Sequence, residues 1–282
     1  MALKMKITRN IRRIPLTLKI LIAILLLLIP VSAYAFVSGP LFPYSVVKPG
    51  FSKLELEKAT IFYPNGTQLS DDYYKLDSMI AETEAFHKIH FKKNVSVIVC
   101  ATSRQYKRFS TQRAHACAMP TGTIIYINPT INNTGRDLAG FLKHELSHAI
   151  LFQNTSLLKA MKLKSWVTEG LAIYYGNPHH YYNDEELGKL SIDKGYFFNL
   201  LDNKAEPENI PVEIKYKFKY GEYRAFMEFL VKTYGLQPVL NYTLEYIKHP
   251  NKEKALFHDI LGSNLEEAFS QFHKKIIDGE VS

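Results

Sequence analysis

The chain has 282 residues, 46% of them hydrophobic, and its 17 Phe, 18 Tyr and one Trp can fill a large core, so one domain of two lobes suits its size. Its net charge of +8 is unevenly spread: six of the 35 basic residues (Lys4, Lys6, Arg9, Arg12, Arg13 and Lys19) precede Phe36 and no acidic residue does, which leaves 29 basic against 27 acidic residues, +2, over the remainder. The basic excess is therefore a feature of the N-terminus, and nucleic acid is excluded as an expected partner.

From the N-terminus, residues 1–35 combine that basic stretch with the apolar run that starts at Ile20 and continues to Val37. A cleaved signal peptide fits the short apolar stretch to Pro30 and the small-x-small site Ala33-Tyr34-Ala35. A signal anchor fits the long basic flank and about 18 apolar residues, near the minimum for a span. Either way the basic flank stays in the cytoplasm and the rest of the chain is expected outside it, membrane-anchored or released by secretion into the periplasm or beyond. Residues 36–52 read as an extended linker, and 53–282 as one domain.

Lys53 to Tyr63 alternates as a strand or hairpin, Asn65-Gly66 marks a turn, and Ser70-Asp71-Asp72 starts a helix that reaches His90. Val95–Cys100 is a β-branched run that predicts a buried strand, followed by a short helix at Ser103–Phe109 and a strand at Ile124–Ile127. Beyond the helix that carries His144 and His148, strand patterns stop. Helices are predicted at Ser165–Gly176, Glu185–Leu190, Tyr220–Tyr234, Pro238–Ile247 and Leu265–Ile277. The fold class is thus α+β, an N-terminal αβ lobe followed by a helical one. Cys100 and Cys117 admit one bridge or two free thiols. The sequons at Asn65, Asn94, Asn132, Asn154 and Asn241 matter only in a glycosylating pathway.

Between the lobes lies His144-Glu145-Leu146-Ser147-His148, with Trp166-Val167-Thr168-Glu169-Gly170 beginning further along. At 100° per residue, His148 stands about 40° and Glu145 about 100° from His144 on the helix. Leu142, Leu146, Ala149, Ala139 and Ile150 gather on the opposite side as a core stripe. Two imidazoles one turn apart can reach one Zn2+ ion, with Glu145 beside them as a base that is not a ligand. Glu169 on the next helix is the expected third ligand, leaving a fourth position open.

These two motifs, with Leu171 and Ala172 extending the second, resemble the gluzincin clan of zinc metallopeptidases and its peptidase MA-like families. The resemblance covers residues 95–235. It implies a zincin-like two-lobe catalytic domain that hydrolyses peptide bonds, with a peptide or protein as substrate and Glu145 activating zinc-bound water. It also implies that Thr123–Pro129 lines the substrate cleft and that a Tyr of the late helix donates to the oxyanion, Tyr220 being the better match and Tyr223 the second. Ile173 departs from the pattern, since several gluzincins place there an Asp that orients a zinc histidine. Two other readings stay open: a catalytically silent zinc-binding domain that recognises an extracytoplasmic partner, and a hydrolase of a non-peptide amide. Among the other histidines, His87 and His90 read as half-exposed, His179 and His180 as near the substrate at most, and His115, His249, His258 and His273 have no assignment.

Overall fold

The computed structural model describes residues 15–112, 114–133, 137–177, 181–202 and 209–278. Helix α1 (Leu16–Ser38) and a 3-10 turn at Phe42–Tyr44 lead into β1 (Phe51–Glu55) and β2 (Ala59–Pro64). Then come α2 (Asp71–Tyr74), α3 (Leu76–His87), β3 (Val95–Val99), α4 (Ser103–Ser110), β4 (Ala116–Ala118), β5 (Ile124–Ile127), α5 (Thr130–Asn133) and α6 (Leu138–Gln153). The remaining described elements are helical: α7 (Leu157–Ala160), α8 (Ser165–Gly176), α9 (Asp184–Lys194), α10 (Val212–Tyr234), α11 (Leu236–Lys248), a 3-10 turn, α12 (Glu253–Leu261) and α13 (Leu265–Asp278). The histidines His179 and His180 lie outside the described residues.

The strands form one sheet in the order β1-β2-β3-β5-β4, parallel at β2/β3 and β3/β5 and antiparallel at both edges. Side chains alternate across it. Val97, Val99, Ile125 and Ile127 face a core shared with Leu142, Leu146 and Ala149 of α6, while Ile98 and Tyr126 face Phe42, Tyr106 and Phe109 on the other side. With both faces covered, the central strands read as unbroken apolar runs. A second core, built on Trp166, Tyr223, Phe226, Tyr242 and Phe272, fills the helical lobe, and Ile150 and Leu151 of α6 belong to it. Helix α6 is thus the wall common to both lobes, buried on nearly every side.

Three expectations change, and the cysteines, left open above, take one of their two alternatives. The stretch 36–50 is not an extended linker: Phe36 to Ser38 continue α1, and Phe42 is buried, stacked on Phe109 at 4.3 Å between ring centroids. His87 is fully buried, because α3 ends against Tyr175 of α8, 5.7 Å away between rings. Helix α10 begins at Val212, eight residues before Tyr220; Lys215, Lys217 and Lys219 hid its apolar pattern, and Pro211 fixes its start. Finally, Cys117 sits opposite Tyr126, which sits opposite Ile98, and Cys100 lies two residues beyond. Two inter-strand intervals amount to about 9.6 Å, more than the reach of a disulfide, and both thiols are free.

Candidate metal centre

Asp137 caps α6, accepting from the Gly140 N–H at 2.9 Å, and the helix then carries His144, Glu145 and His148 into the seam between the lobes. Glycines bring the opposite wall close. A Cβ on Gly176 of α8 would stand 2.6 Å from the Gly140 carbonyl oxygen and 2.7 Å from the His144 nitrogen, and one on Gly170 would stand 2.7 Å from the Tyr223 carbonyl oxygen. Helix α8 is thereby wedged, backbone against backbone, between α6 and α10. That close approach lets Glu169 reach the two histidines.

The Nε2 atoms of His144 and His148 lie 3.1 Å apart, and Glu169 Oε2 lies 3.2 Å from His148 Nε2 and 3.5 Å from His144 Nε2. Zinc bonds of about 2.0–2.1 Å at tetrahedral angles separate neighbouring donor atoms by about 3.4 Å. The triangle has that size, and its donors are the nitrogen and oxygen types zinc takes, so the residues fit a zinc ion. Burial alone would raise the Glu169 carboxyl, but the two imidazoles beside it outweigh burial and hold it well below the carboxylate range. Glu145 points elsewhere. Its Oε2 accepts from the Ala118 N–H of β4 at 2.5 Å, and burial raises its carboxyl against the lowering influence of His144 and His148. A carboxylate raised in this way is a stronger proton acceptor than an ordinary one.

Beside the cluster opens a cavity of about 460 Å3 whose walls include Ala116–Ala118, Glu145, Phe152, Tyr181, Tyr216 and Tyr220. Tyr220 lines it from mid-helix in α10, its ring stacked between Tyr216 at 4.2 Å and Tyr181 at 5.5 Å. Burial and then the Glu169 carboxylate push the Tyr220 phenol well above its ordinary value, so it remains a neutral donor. Tyr223 does not share this wall: it is buried in the helical core against Phe198.

The cleft edge is also one strand further out than expected. β5 is enclosed between β3 and β4, with all four of its residues buried, and it is β4 that borders the cavity. Ile173 is buried, and neither His144 Nδ1 nor His148 Nδ1 has a hydrogen-bond partner among the described residues. Phe152 stacks on the His148 ring at 5.9 Å. Sequence reading missed Tyr181, Tyr216, Phe152 and His115 as cavity residues. Only the i, i+4 spacing of Tyr216 before Tyr220 and of Phe152 after His148 was a usable signal.

No family model matches the chain, and no curated protein does. Among solved structures, the chain is similar to an M1 zinc metallopeptidase variant from Deinococcus radiodurans bound to a Tyr-Ser-Ala substrate, with 14% identity and a TM-score of 0.45 over 80% of this chain and 50% of that one. It is also similar to a two-domain M1 zinc metallopeptidase variant bound to L-arginine, with 15% identity and a TM-score of 0.42 over 80% and 50%. The chain spans about half the length of these structures.

Proposed function

We propose that this chain is a zinc-dependent peptidase of gluzincin type whose catalytic part works outside the cytoplasm, anchored by its N-terminal helix or released by its cleavage. One observation carries the reading: His144, His148 and Glu169 converge as a zinc-sized triangle beside a cavity, with Glu145 on the same helix turned to the cavity's strand edge. His144, His148 and Glu169 would hold the ion. Zinc bound there supplies Lewis-acid polarisation of the scissile carbonyl and makes water acidic enough to ionise near neutrality.

Glu145 takes the proton of the attacking water and returns it to the leaving amine. Tyr220 donates its phenolic O–H to the developing oxyanion. The substrate is a peptide or a protein, and the membrane is a partner where α1 is retained. No nucleic acid is involved, in keeping with the near-neutral charge beyond residue 35. Metal analysis of the purified protein combined with cleavage of a broad peptide library tests this. One zinc per chain is expected, with cleavage lost to a chelator and restored by zinc. Stoichiometric zinc with no peptide cleaved would overturn the peptidase reading.

A further inference from the structure

Helix α1 has 23 residues, none of them buried and none acidic. At 1.5 Å per residue it is about 34 Å long, enough to cross a hydrocarbon core of about 30 Å. The folded domain begins almost at once. Only three residues separate Ser38, the end of α1, from Phe42, which is buried in the domain. Four Cα steps extend at most about 14 Å, so whatever surrounds Phe42 stands close to the headgroups.

Two kinds of exposed residue are tied to it, one through the chain and one through the helix packed on its ring. Leu41, Tyr44, Val46 and Val47 are apolar and exposed, Val46 completely so at 101%. Helix α4 packs on Phe42 through Phe109, at 4.3 Å between stacked rings. Its buried face is Tyr106 and Phe109, and its outer face carries Arg104, Lys107 and Arg108, all exposed and none of them ion-paired among the described residues. Lys48 belongs to the scaffold instead: its Nζ donates to the Ser45 carbonyl at 2.6 Å and lies over the Phe62 ring, which shapes the loop that projects Val46 and Val47.

We propose that this face is a membrane-docking surface: Leu41, Tyr44, Val46 and Val47 enter the interfacial layer while Arg104, Lys107 and Arg108 bind anionic lipid headgroups of the bilayer that α1 crosses. Apolar side chains flanked by basic ones are the combination that holds a peripheral surface on anionic lipid. The surface is continuous with the membrane helix, and its charge is complementary to that lipid. Docking would also orient the cavity. Helix α4 runs directly into Ser110, Thr111 and Gln112, which form part of the cavity wall, so that wall would lie beside the headgroups. The proposal rests on α1 being retained as an anchor and is independent of zinc and of hydrolysis.

The test uses the full chain reconstituted in lipid nanodiscs, with a Val46→Trp reporter and the native, buried Trp166 as the wild-type baseline. In phosphatidylglycerol discs, lipids spin-labelled near the headgroup should quench the added Trp at least twofold and its emission should shift to the blue. Phosphatidylcholine discs, or high salt, should remove most of that quenching, since such contacts are screened. Arg104→Glu, Lys107→Glu and Arg108→Glu combined should make the phosphatidylglycerol result match the phosphatidylcholine one. Water-like emission in both lipids would overturn the proposal. So would equal quenching in both lipids regardless of the charge reversal, which would mean that the tether alone brings the loop to the bilayer. Failure of the chain to co-elute with discs would overturn the anchor and the docking together, leaving the peptidase reading untouched.

Discussion

The two walls of the cavity are held in different ways. On the sheet side, directional hydrogen bonds set position. Gln153, at the end of α6, accepts from the Lys92 and Lys93 N–H groups at 2.8 Å each and donates to the Gly122 carbonyl at 2.8 Å, while Glu145 meets the Ala118 N–H of β4. On the helical side, Glu169 and Tyr220 are placed by packing: glycine-mediated contact of α8 with α6 and α10, and a stack of three tyrosines. Hydrogen bonds fix a register, and packing fixes a separation. The triangle needs the second more than the first, because its three edges are set by how closely α8 approaches α6.

Within the helical wall, the largest effect is expected from its aromatic stack. Tyr220→Phe should lower kcat by about 10²–10³, the usual loss for one oxyanion donor, with zinc content unchanged. Tyr223→Phe, in the core, should leave kcat near wild type. Steady-state kinetics on both variants decide the matter, and the reverse pattern would move the donor role one turn along α10.

A second pair of variants separates register from separation. Gln153→Ala strips a partner from four backbone groups, the Lys92 and Lys93 N–H and the Lys93 and Gly122 carbonyls, and should cost about 2–3 kcal/mol in denaturant unfolding, with zinc affinity within about twofold of wild type. Gly176→Ala overpacks the α6–α8 contact and should cost about 1–3 kcal/mol, while weakening zinc binding at least about tenfold. Equal zinc affinities in the two variants would erase the distinction between the walls.

A third test, on stability alone, concerns a carboxyl that packing buried. Glu222 of α10 is fully buried, neither oxygen has a hydrogen-bond partner among the described residues, and burial pushes its carboxyl well above the usual range. A folded-state pKa above the unfolded one means that stability is full below about pH 4.3. Stability is then lost as pH rises, at up to about 1.4 kcal/mol per pH unit for one proton. Glu222→Gln should flatten that slope in unfolding measured from pH 4 to 7; an unchanged slope would show that another group carries it.

What the sequence disclosed follows the same division. His144, Glu145 and His148 were legible because one helical turn brings them together, and Glu169 because its motif follows closely. The β3 and β5 strands were legible as apolar runs. β4 was not: three small residues, Ala116 to Ala118, carry no periodicity, and only pairing with β5 makes them a strand. Tyr181 reaches the cavity only by stacking on α10, and His87 is buried only because Tyr175 arrives from a distant helix. Contacts of that range leave no local pattern. The start of α10 was obscured by alternate lysines, Lys215, Lys217 and Lys219, which break the helical period of its apolar residues and displaced Tyr220 from mid-helix to an expected helix start.

The central claim is that His144, His148 and Glu169 hold zinc while Glu145 moves the proton. It is tested most directly by measuring zinc content and peptide hydrolysis together in Glu145→Gln. The account predicts one zinc per chain, as in the wild-type protein, and hydrolysis reduced by about 10²–10⁴ or more. Hydrolysis at the wild-type rate in that variant, or loss of its zinc, would contradict it.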